Sequence, residues 1–431
     1  MNPAPASRAW LVWGAGVAVY LLAVFNRSSL AVAGLIATDR FHISAGQLAT
    51  FAMLQLLVYA GMQIPVGLMV DRFGSRTVLI GGLLVMSAAQ TGFALATTYP
   101  EALVARVFVG MGDAMTFICV LRLVSAWFPL RRIPLVTQLT GNVGQLGALF
   151  AAVPMTWALS HLGWHAAYLI AAGAGPVLLV PLLLFLRDTP GSRNHRGTAL
   201  SLPDLGRNLR AAWDQPGTRL GFWVHFTTPF SATVLALLWG YPFFVEGEHL
   251  SDGAAGSLLS LIVVANIVAG PVLGWLVGRH PWHRSSLALC IVAAIVASWT
   301  VVLLWPGHAP YWLLAITVFV AGCGGPGSMI GFDVGRTSNP GHRLASASGI
   351  INVAGFVAAL ITIVAVGFIL DWRTPGGGTT YTDSAFHWAM SFQYLVWGLG
   401  TVMILRQRRV IRAQVKRAAV DSGDSMVRAA I

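Results

Sequence analysis

Twelve stretches of this chain are each apolar over about 20 residues or more, the length a helix needs to cross a bilayer. They lie near residues 9–38, 45–70, 76–98, 101–128, 133–161, 164–187, 218–246, 253–279, 285–306, 309–335, 344–371 and 385–405. In lipid a backbone must satisfy its own N–H and C=O groups, which leaves helices or a closed barrel. No ten-residue alternation of apolar and polar side chains occurs, so a barrel is excluded and an all-α membrane protein of twelve transmembrane helices is expected. Composition agrees: charged residues make up 10% of the 431, against about 25% in soluble domains. The longest polar interruption divides the spans six and six. The expected organisation is a first six-helix bundle over 1–187, a linker over 188–217, a second bundle over 218–405 and a basic tail over 406–431.

The net charge of +12 comes from 27 Lys and Arg against 15 Asp and Glu. All but five of the 27 fall in alternate loops, at the span ends bordering those loops, or in the two tails. The exceptions are Arg27, Arg106 and Arg122 inside spans, and Arg40 and Arg373 in the opposite loops. That asymmetry is the positive-inside rule rather than a nucleic-acid patch. It predicts a cell (inner) membrane protein with both termini cytoplasmic, the first span acting as an uncleaved signal anchor. Within the linker, Leu202, Leu205, Leu209 and Trp213 share one helical stripe with Arg207 and Arg210 off it, the pattern of a helix lying on a membrane surface. Cys119, Cys290 and Cys323 stand singly in apolar runs and suggest neither a disulfide nor a thiolate metal site.

The halves repeat weakly. "GLMVDRFGSR" at Gly67 matches "GWLVGRHPWHR" at Gly274, and "NVGQLGALFAAV" at Asn142 matches "NVAGFVAALITI" at Asn352, offsets of 207 and 210 residues. The first of these carries the spacing Gly67-x-x-x-Asp71-Arg72-x-Gly74-x-Arg76, which resembles the loop signature of the major facilitator superfamily. The residue types suit a conformational clasp. Glycines permit a tight turn and close helix contact, Asp71 suits a neighbouring helix N-terminus, and Arg72 and Arg76 can bridge to other helix ends. The resemblance implies two pseudo-symmetric six-helix bundles.

Further on, Arg106-x-x-x-Gly110-x-x-Asp113-Ala114, followed by Arg122-Leu-Val-Ser-Ala-Trp127-Phe128-Pro129, resembles the anion:cation symporter branch, which has R-x-x-x-G-x-x-E-A and W-F-P there. In that branch the first-span acid and arginine and the fourth-span arginine and acid serve substrate recognition and proton coupling. Here Asn26-Arg27 stands where an acid precedes the arginine, and Asp113 replaces the longer Glu. Both departures bear on proton coupling. Nitrate exchange is disfavoured, because that family would require arginines inside spans two and eight.

Each charge at a bilayer centre costs about 2.5–3.5 kcal/mol on insertion scales, so Arg27, Arg106 and Asp113 need a reason. Arg106 and Asp113, seven apart, share a helix face; Arg122, nine beyond Asp113, points away and lies near the inner end, where it can snorkel. Arg27 comes to the depth of Asp113, where the two can neutralise each other across a cavity or hold two spans together. The functional assignment is an anion received by Arg27 with Asn26, an outer contact or gate at Arg106, cavity-wall contacts from Gln55, Tyr59 and Asn352, and a proton carried by Asp113. Conformational gating is expected from Gly67, Asp71, Arg72, Gly74, Arg76, Asp333 and Arg336. His225 is read as a satisfied intramembrane histidine, and "AGCGGPGSM" as a break in span ten.

No catalytic constellation, metal motif or nucleotide-binding loop is visible, so an enzyme, a cofactor and direct ATP drive are not expected. With the resemblance, the expected function is alternating-access transport of a small organic anion, a carboxylate being one option, by proton-coupled symport. Proton-coupled export of drugs or metabolites, and uniport, are the alternatives; the latter follows because Asn26 does not titrate. The expected partners are the substrate, protons and membrane lipid, without nucleic acid, and the chain is expected to act as a monomer.

Overall fold

Among the described residues every long element is a helix, because buried apolar side chains recur without interruption and lipid removes water as an alternative hydrogen-bond partner. The computed structural model describes residues 6–43, 45–194, 197, 202–374 and 381–422. The first five residues, most of the chain just before residue 202 and the end of the basic tail lie outside them.

In chain order the helices are α1 (Ala6–Phe41), α2 (Ala45–Leu95), α3 (Tyr99–Trp127), α4 (Ile133–Phe150), α5 (Thr156–Phe185), α6 (Leu202–Trp213), α7 (Pro216–Thr227), α8 (Phe230–Val234), α9 (Gly240–Pro242), α10 (Asp252–Arg279), α11 (Arg284–Leu303), α12 (Tyr311–Gly322), α13 (Gly324–Ser338), α14 (Leu344–Arg373), α15 (Asp383–Ser391) and α16 (Gln393–Ser422). Ten stretches of the described helices are long and apolar enough to cross a membrane. Two of these, Met53–Leu95 and Ile133–Phe185, run to 43 and 53 residues. At 1.5 Å per residue each exceeds about 60 Å, twice the hydrocarbon thickness. Both are broken by a glycine with positive φ: Gly74 (φ 81°) inside α2 and Gly163 (φ 76°) inside α5. Only glycine takes that conformation without steric cost. The ten stretches thus hold twelve helical passes, and the fold is the all-α, twelve-helix architecture expected.

The chain forms two units. The first comprises Met1–Leu209 and Pro340–Val353, and the second comprises Arg210–Asn339 and Ala354–Ile431. In the first unit, helices cross where glycine removes the side chain. A Cβ on Gly112 would meet the Gly82 carbonyl at 2.7 Å, and one on Gly147 would meet the Leu21 carbonyl at 2.3 Å. Small residues let backbones approach this closely in lipid. Beside these crossings Phe41, Phe51, Phe93, Trp164 and Tyr168 form an aromatic cluster, with Phe93 edge-on to Tyr168 at 5.0 Å.

In the second unit two spans are interrupted at matching places. The chain between α7 and α8 breaks at Thr228 and Pro229, and α12 gives way to α13 at Cys323. The breaks lie against each other, since a Cβ on Gly324 would sit 2.0 Å from the Thr228 carbonyl. Phe230, Phe243, Trp299 and Trp397 are buried around them. The polar segment before α7 forms the short helix α6, with Arg207 and Arg210 exposed and Leu205, Leu209 and Trp213 partly covered.

Gly163 and Gly173 both have open space where a Cβ would be added, and only Gly163 has positive φ. Gly163→Ala should therefore lower the thermal-unfolding midpoint in detergent, by the equivalent of about 1–2 kcal/mol. Gly173→Ala should hold or raise it. Equal shifts would show that the left-handed turn is not what requires glycine.

Candidate functional site

The first unit gathers three charged side chains, two of them fully buried, within one group of helices, and their partners differ sharply. Arg106, on α3, is fully buried. One terminal nitrogen donates to the Asn26 carbonyl at 3.2 Å; the other donates to the Arg27 carbonyl at 3.2 Å and to Gln55 Oε1. Its guanidinium carbon also lies 5.1 Å from the centre of the Phe93 ring. A planar fork with several donors suits this bridge between α1 and α2, where a point-charged ammonium would not. Gln55 is held close because α2 and α3 touch there: a Cβ on Gly110 would meet the Gln55 carbonyl at 2.9 Å. Arg106 therefore faces protein on all sides in this conformation.

Arg27 and Asp113 form the second arrangement. Arg27 Nη1 lies 3.2 Å from Asp113 Oδ2; the aspartate side chain is 0% exposed and the arginine side chain 25% exposed. The arginine is thus the member of the pair that an entering molecule meets. Its guanidinium carbon is 5.2 Å from the Tyr59 ring centre, and the Tyr59 and Tyr20 hydroxyls lie beside it. Tyr59 is bonded by the Asn352 side chain, and Asn352 Nδ2 donates to Gln63 Oε1 at 2.7 Å. Gln63 in turn donates to the Tyr59 carbonyl at 2.8 Å. The result is one polar network from Asp113 through Arg27 and Tyr59 to Asn352. Asn26 and Gln55 border it, both buried, with Asn26 Oδ1 and Gln55 Nε2 lacking hydrogen-bond partners among the described residues.

The third arrangement lies at the basic end of the same unit. The Asp71 carboxylate accepts from the Ala345 and Ser346 backbone N–H groups at 3.1 and 2.8 Å and from the Ser346 hydroxyl at 2.6 Å. It therefore caps the first turn of α14 from another helix, where free N–H groups and the helix dipole favour an anion. Arg122 Nη1 is 3.7 Å from Asp71 Oδ1 and also donates to the Gly341 carbonyl. Gly67 permits the approach, since a Cβ there would lie 2.6 Å from the Ala345 carbonyl. Beyond Gly74, the Arg76 N–H donates to Asp188 Oδ1 at 2.7 Å and its guanidinium to Asn194 Oδ1 at 3.1 Å. Arg72 is exposed, with its guanidinium against Phe73.

In the second unit Asp333 is buried between two arginines, Arg336 Nη2 at 2.6 Å and Arg284 Nε at 2.8 Å. His225 is buried there, its ring 4.9 Å from that of Phe332.

The structure thus brings Arg27, Asp113, Tyr59 and Asn352 into one network, with Asn26 and Gln55 at its edge. It places Arg106 behind them, and Asp71, Arg72, Gly74 and Arg76 at a helix end away from them. Asp333 and Arg336 belong to a separate cluster in the second unit. Sequence reasoning passed over Tyr20 and Asp188. Tyr20 lies seven residues before Arg27, a spacing that puts both on one helix face. Asp188 is one of three acids in a basic linker, and nothing local marks it as the acceptor for the Arg76 N–H.

The Major Facilitator Superfamily profile matches residues 16–363. The chain belongs to the major facilitator superfamily. Two curated relatives from Escherichia coli K12 extend the comparison. The chain is 24% identical to the "Probable L-galactonate transporter", with 82% of each chain covered. It is 22% identical to the "Probable galactarate/D-glucarate transporter GudP", covering 84% of this chain and 87% of that one. Among solved structures it is similar in fold to the E. coli fucose:proton symporter FucP, with a TM-score of 0.66 at 17% identity over 92% of this chain and 99% of that one. This chain is therefore a membrane transporter of the superfamily and not an enzyme.

Gln55→Leu keeps the volume but removes the acceptor that Arg106 uses on α2. It should destabilise the protein by about 1–3 kcal/mol, read as a lower thermal midpoint. Arg106→Lys, which keeps the charge without the fork, should lose at least as much. Unchanged midpoints in both would show that the bridge between α1 and α2 contributes nothing.

Proposed function

We propose that this transporter carries a small organic anion of the sugar-acid type by alternating access, in symport with protons. The observation that supports this reading is the Arg27–Asp113 pair, in which the buried aspartate stands behind the partly exposed arginine. Arginine presents a planar fork that matches a carboxylate bidentately, and Tyr20, Tyr59 and Asn352 supply hydroxyl and amide groups around it. A hydroxylated carboxylate suits such a surround, and the printed names of the relatives are those of galactonate, galactarate and glucarate transporters.

In the proposed cycle the substrate carboxylate takes Arg27 from Asp113. An aspartate left buried without a cation is costly, so it takes up a proton, and the two ligands help each other by the same factor. Arg106 acts here as a positioning residue that holds the α1 backbone at Asn26 and Arg27. Gly67, Asp71, Arg72, Gly74 and Arg76, with Asp333 and Arg336, form the gating elements. The two bundles, 1–187 and 218–405, are joined by the 188–217 linker, and the chain works as a monomer. The basic loops support an inner-membrane location with both termini in the cytoplasm.

Uptake of labelled galactonate into proteoliposomes under an imposed pH gradient tests the coupling. Asp113→Asn should abolish proton-driven accumulation while keeping some downhill exchange, and Arg27→Lys should raise the apparent Kd for the anion by about tenfold or more, the equivalent of one good hydrogen bond. Accumulation that stays proton-driven in Asp113→Asn would place the proton elsewhere. Normal affinity in Arg27→Lys would remove the bidentate receptor.

The clasp makes a separate prediction. Asp71→Asn should shift the accessibility of a reporter cysteine in the cavity towards the unclasped state, and Ser346→Ala, which removes one of three bonds to Asp71, should shift it less in the same direction. An unchanged balance with normal transport would leave the loop signature without a gating role.

A further inference from the structure

The second unit holds a side-chain cluster that the transport reading does not use. His249, His308 and Asp383 each offer one ligand atom, and these atoms all lie within 4.8 Å of one another. His249 Nε2 is 3.1 Å from Asp383 Oδ1, His308 Nε2 is 3.8 Å from Asp383 Oδ2, and the two imidazole rings are 4.5 Å apart. In a tetrahedral zinc site, with ligand bonds near 2.0–2.1 Å, neighbouring donors stand about 3.3 Å apart. The two histidine–carboxylate distances bracket that spacing, and all three ligand atoms lie within 4.8 Å of one another.

The three residues come from separate segments: the chain before α10, the chain before α12, and the first turn of α15. Arg284 and Asp333, by contrast, lie near the other end of α10, since α11 begins just after α10 ends. A buried carboxylate fixes the three segments together. Glu248, next to His249, is 0% exposed at its side chain, and its Oε2 accepts the backbone N–H of Ala309, next to His308, at 2.7 Å. Its Oε1 lies 3.6 Å from Nε2 of His387, one helical turn beyond Asp383. His249 also adopts a left-handed backbone conformation (φ 53°), uncommon for a residue with a side chain. One acid thus lies against the neighbours of all three ligands and is bonded to one of them, an arrangement that keeps the segments together before an ion arrives.

We propose that His249, His308 and Asp383 bind a divalent transition-metal ion of the zinc class. Two imidazoles and one carboxylate favour zinc, nickel or copper over magnesium or calcium, which prefer all-oxygen shells. All three residues have some exposure, so water completes the coordination and the ion can enter from solution. The bound ion ties the segments before α10 and α12 to the start of α15.

The full-length protein, purified without a polyhistidine tag, is titrated with Zn2+ by calorimetry and with Cu2+ by electron paramagnetic resonance. One equivalent of Zn2+ should bind, and the Cu2+ spectrum should show coupling to two imidazole nitrogens. His249→Ala and His308→Ala should each weaken Zn2+ binding by about tenfold or more, since even outer-shell partners matter by that factor. His161→Ala, a change at an exposed histidine stacked on Trp157, should leave binding unaltered. The wild-type spectrum needs no variant to fold. Absence of Zn2+ binding, a spectrum without two nitrogen couplings, or full binding in the double variant His249→Ala/His308→Ala would each overturn the proposal and leave a simple ion-pair cluster.

Discussion

The buried ion pair between Arg27 and Asp113 is the interaction around which the first unit is arranged. Either charge alone in a helix bundle would be costly, whereas the two within 3.2 Å largely cancel. Cancellation of this kind is conditional. It holds only while the partners keep their positions, and any anion that competes for the arginine changes what the aspartate requires. The same contact that permits the pair to be buried therefore supplies, in the proposed cycle, the means of linking substrate to proton.

Two arginines that meet around the same turn of α1 divide the labour because their surroundings differ. Arg106 is enclosed and spends its donors on two α1 carbonyls and on Gln55. Arg27 faces a tyrosine, an aspartate and partial exposure. Removing either would unbalance charge, but Arg106 acts on α1 as a strut, whereas Arg27 has a face that a ligand can reach. Gly110 serves the same end, because α2 and α3 must approach closely for the Arg106 guanidinium to reach Gln55.

The second unit keeps ionised groups towards its helix ends. Asp333 is clamped by Arg284 and Arg336 at one end, and Glu248, His249, His308 and Asp383 gather at the other. Its middle is aromatic and aliphatic, with breaks at Thr228 and Cys323. That distribution is consistent with coupling chemistry in the first unit, where the proposed function puts it.

The sequence by itself determined the membrane fold, because twelve apolar runs leave the backbone no alternative to helices. It also determined where two of those helices must break: Gly74 and Gly163 sit between apolar runs, and their φ values need no side chain. The depth of Arg27 and Asp113 along their spans was legible from residue counting, and so was the suitability of Asp71 for a helix end. Which helix end Asp71 caps was not, since Ala345 and Ser346 are more than 270 positions away and carry no local mark. The enclosure of Arg106 was equally invisible. Periodicity put Arg106 on the face of Asp113, but only the packing of α1 and α2 decided that its donors would be consumed by carbonyls. The gathering of His249, His308 and Asp383 from three segments is likewise a product of tertiary structure. Local sequence sets a residue's depth and face, whereas the partner across the gap is chosen by how helices cross.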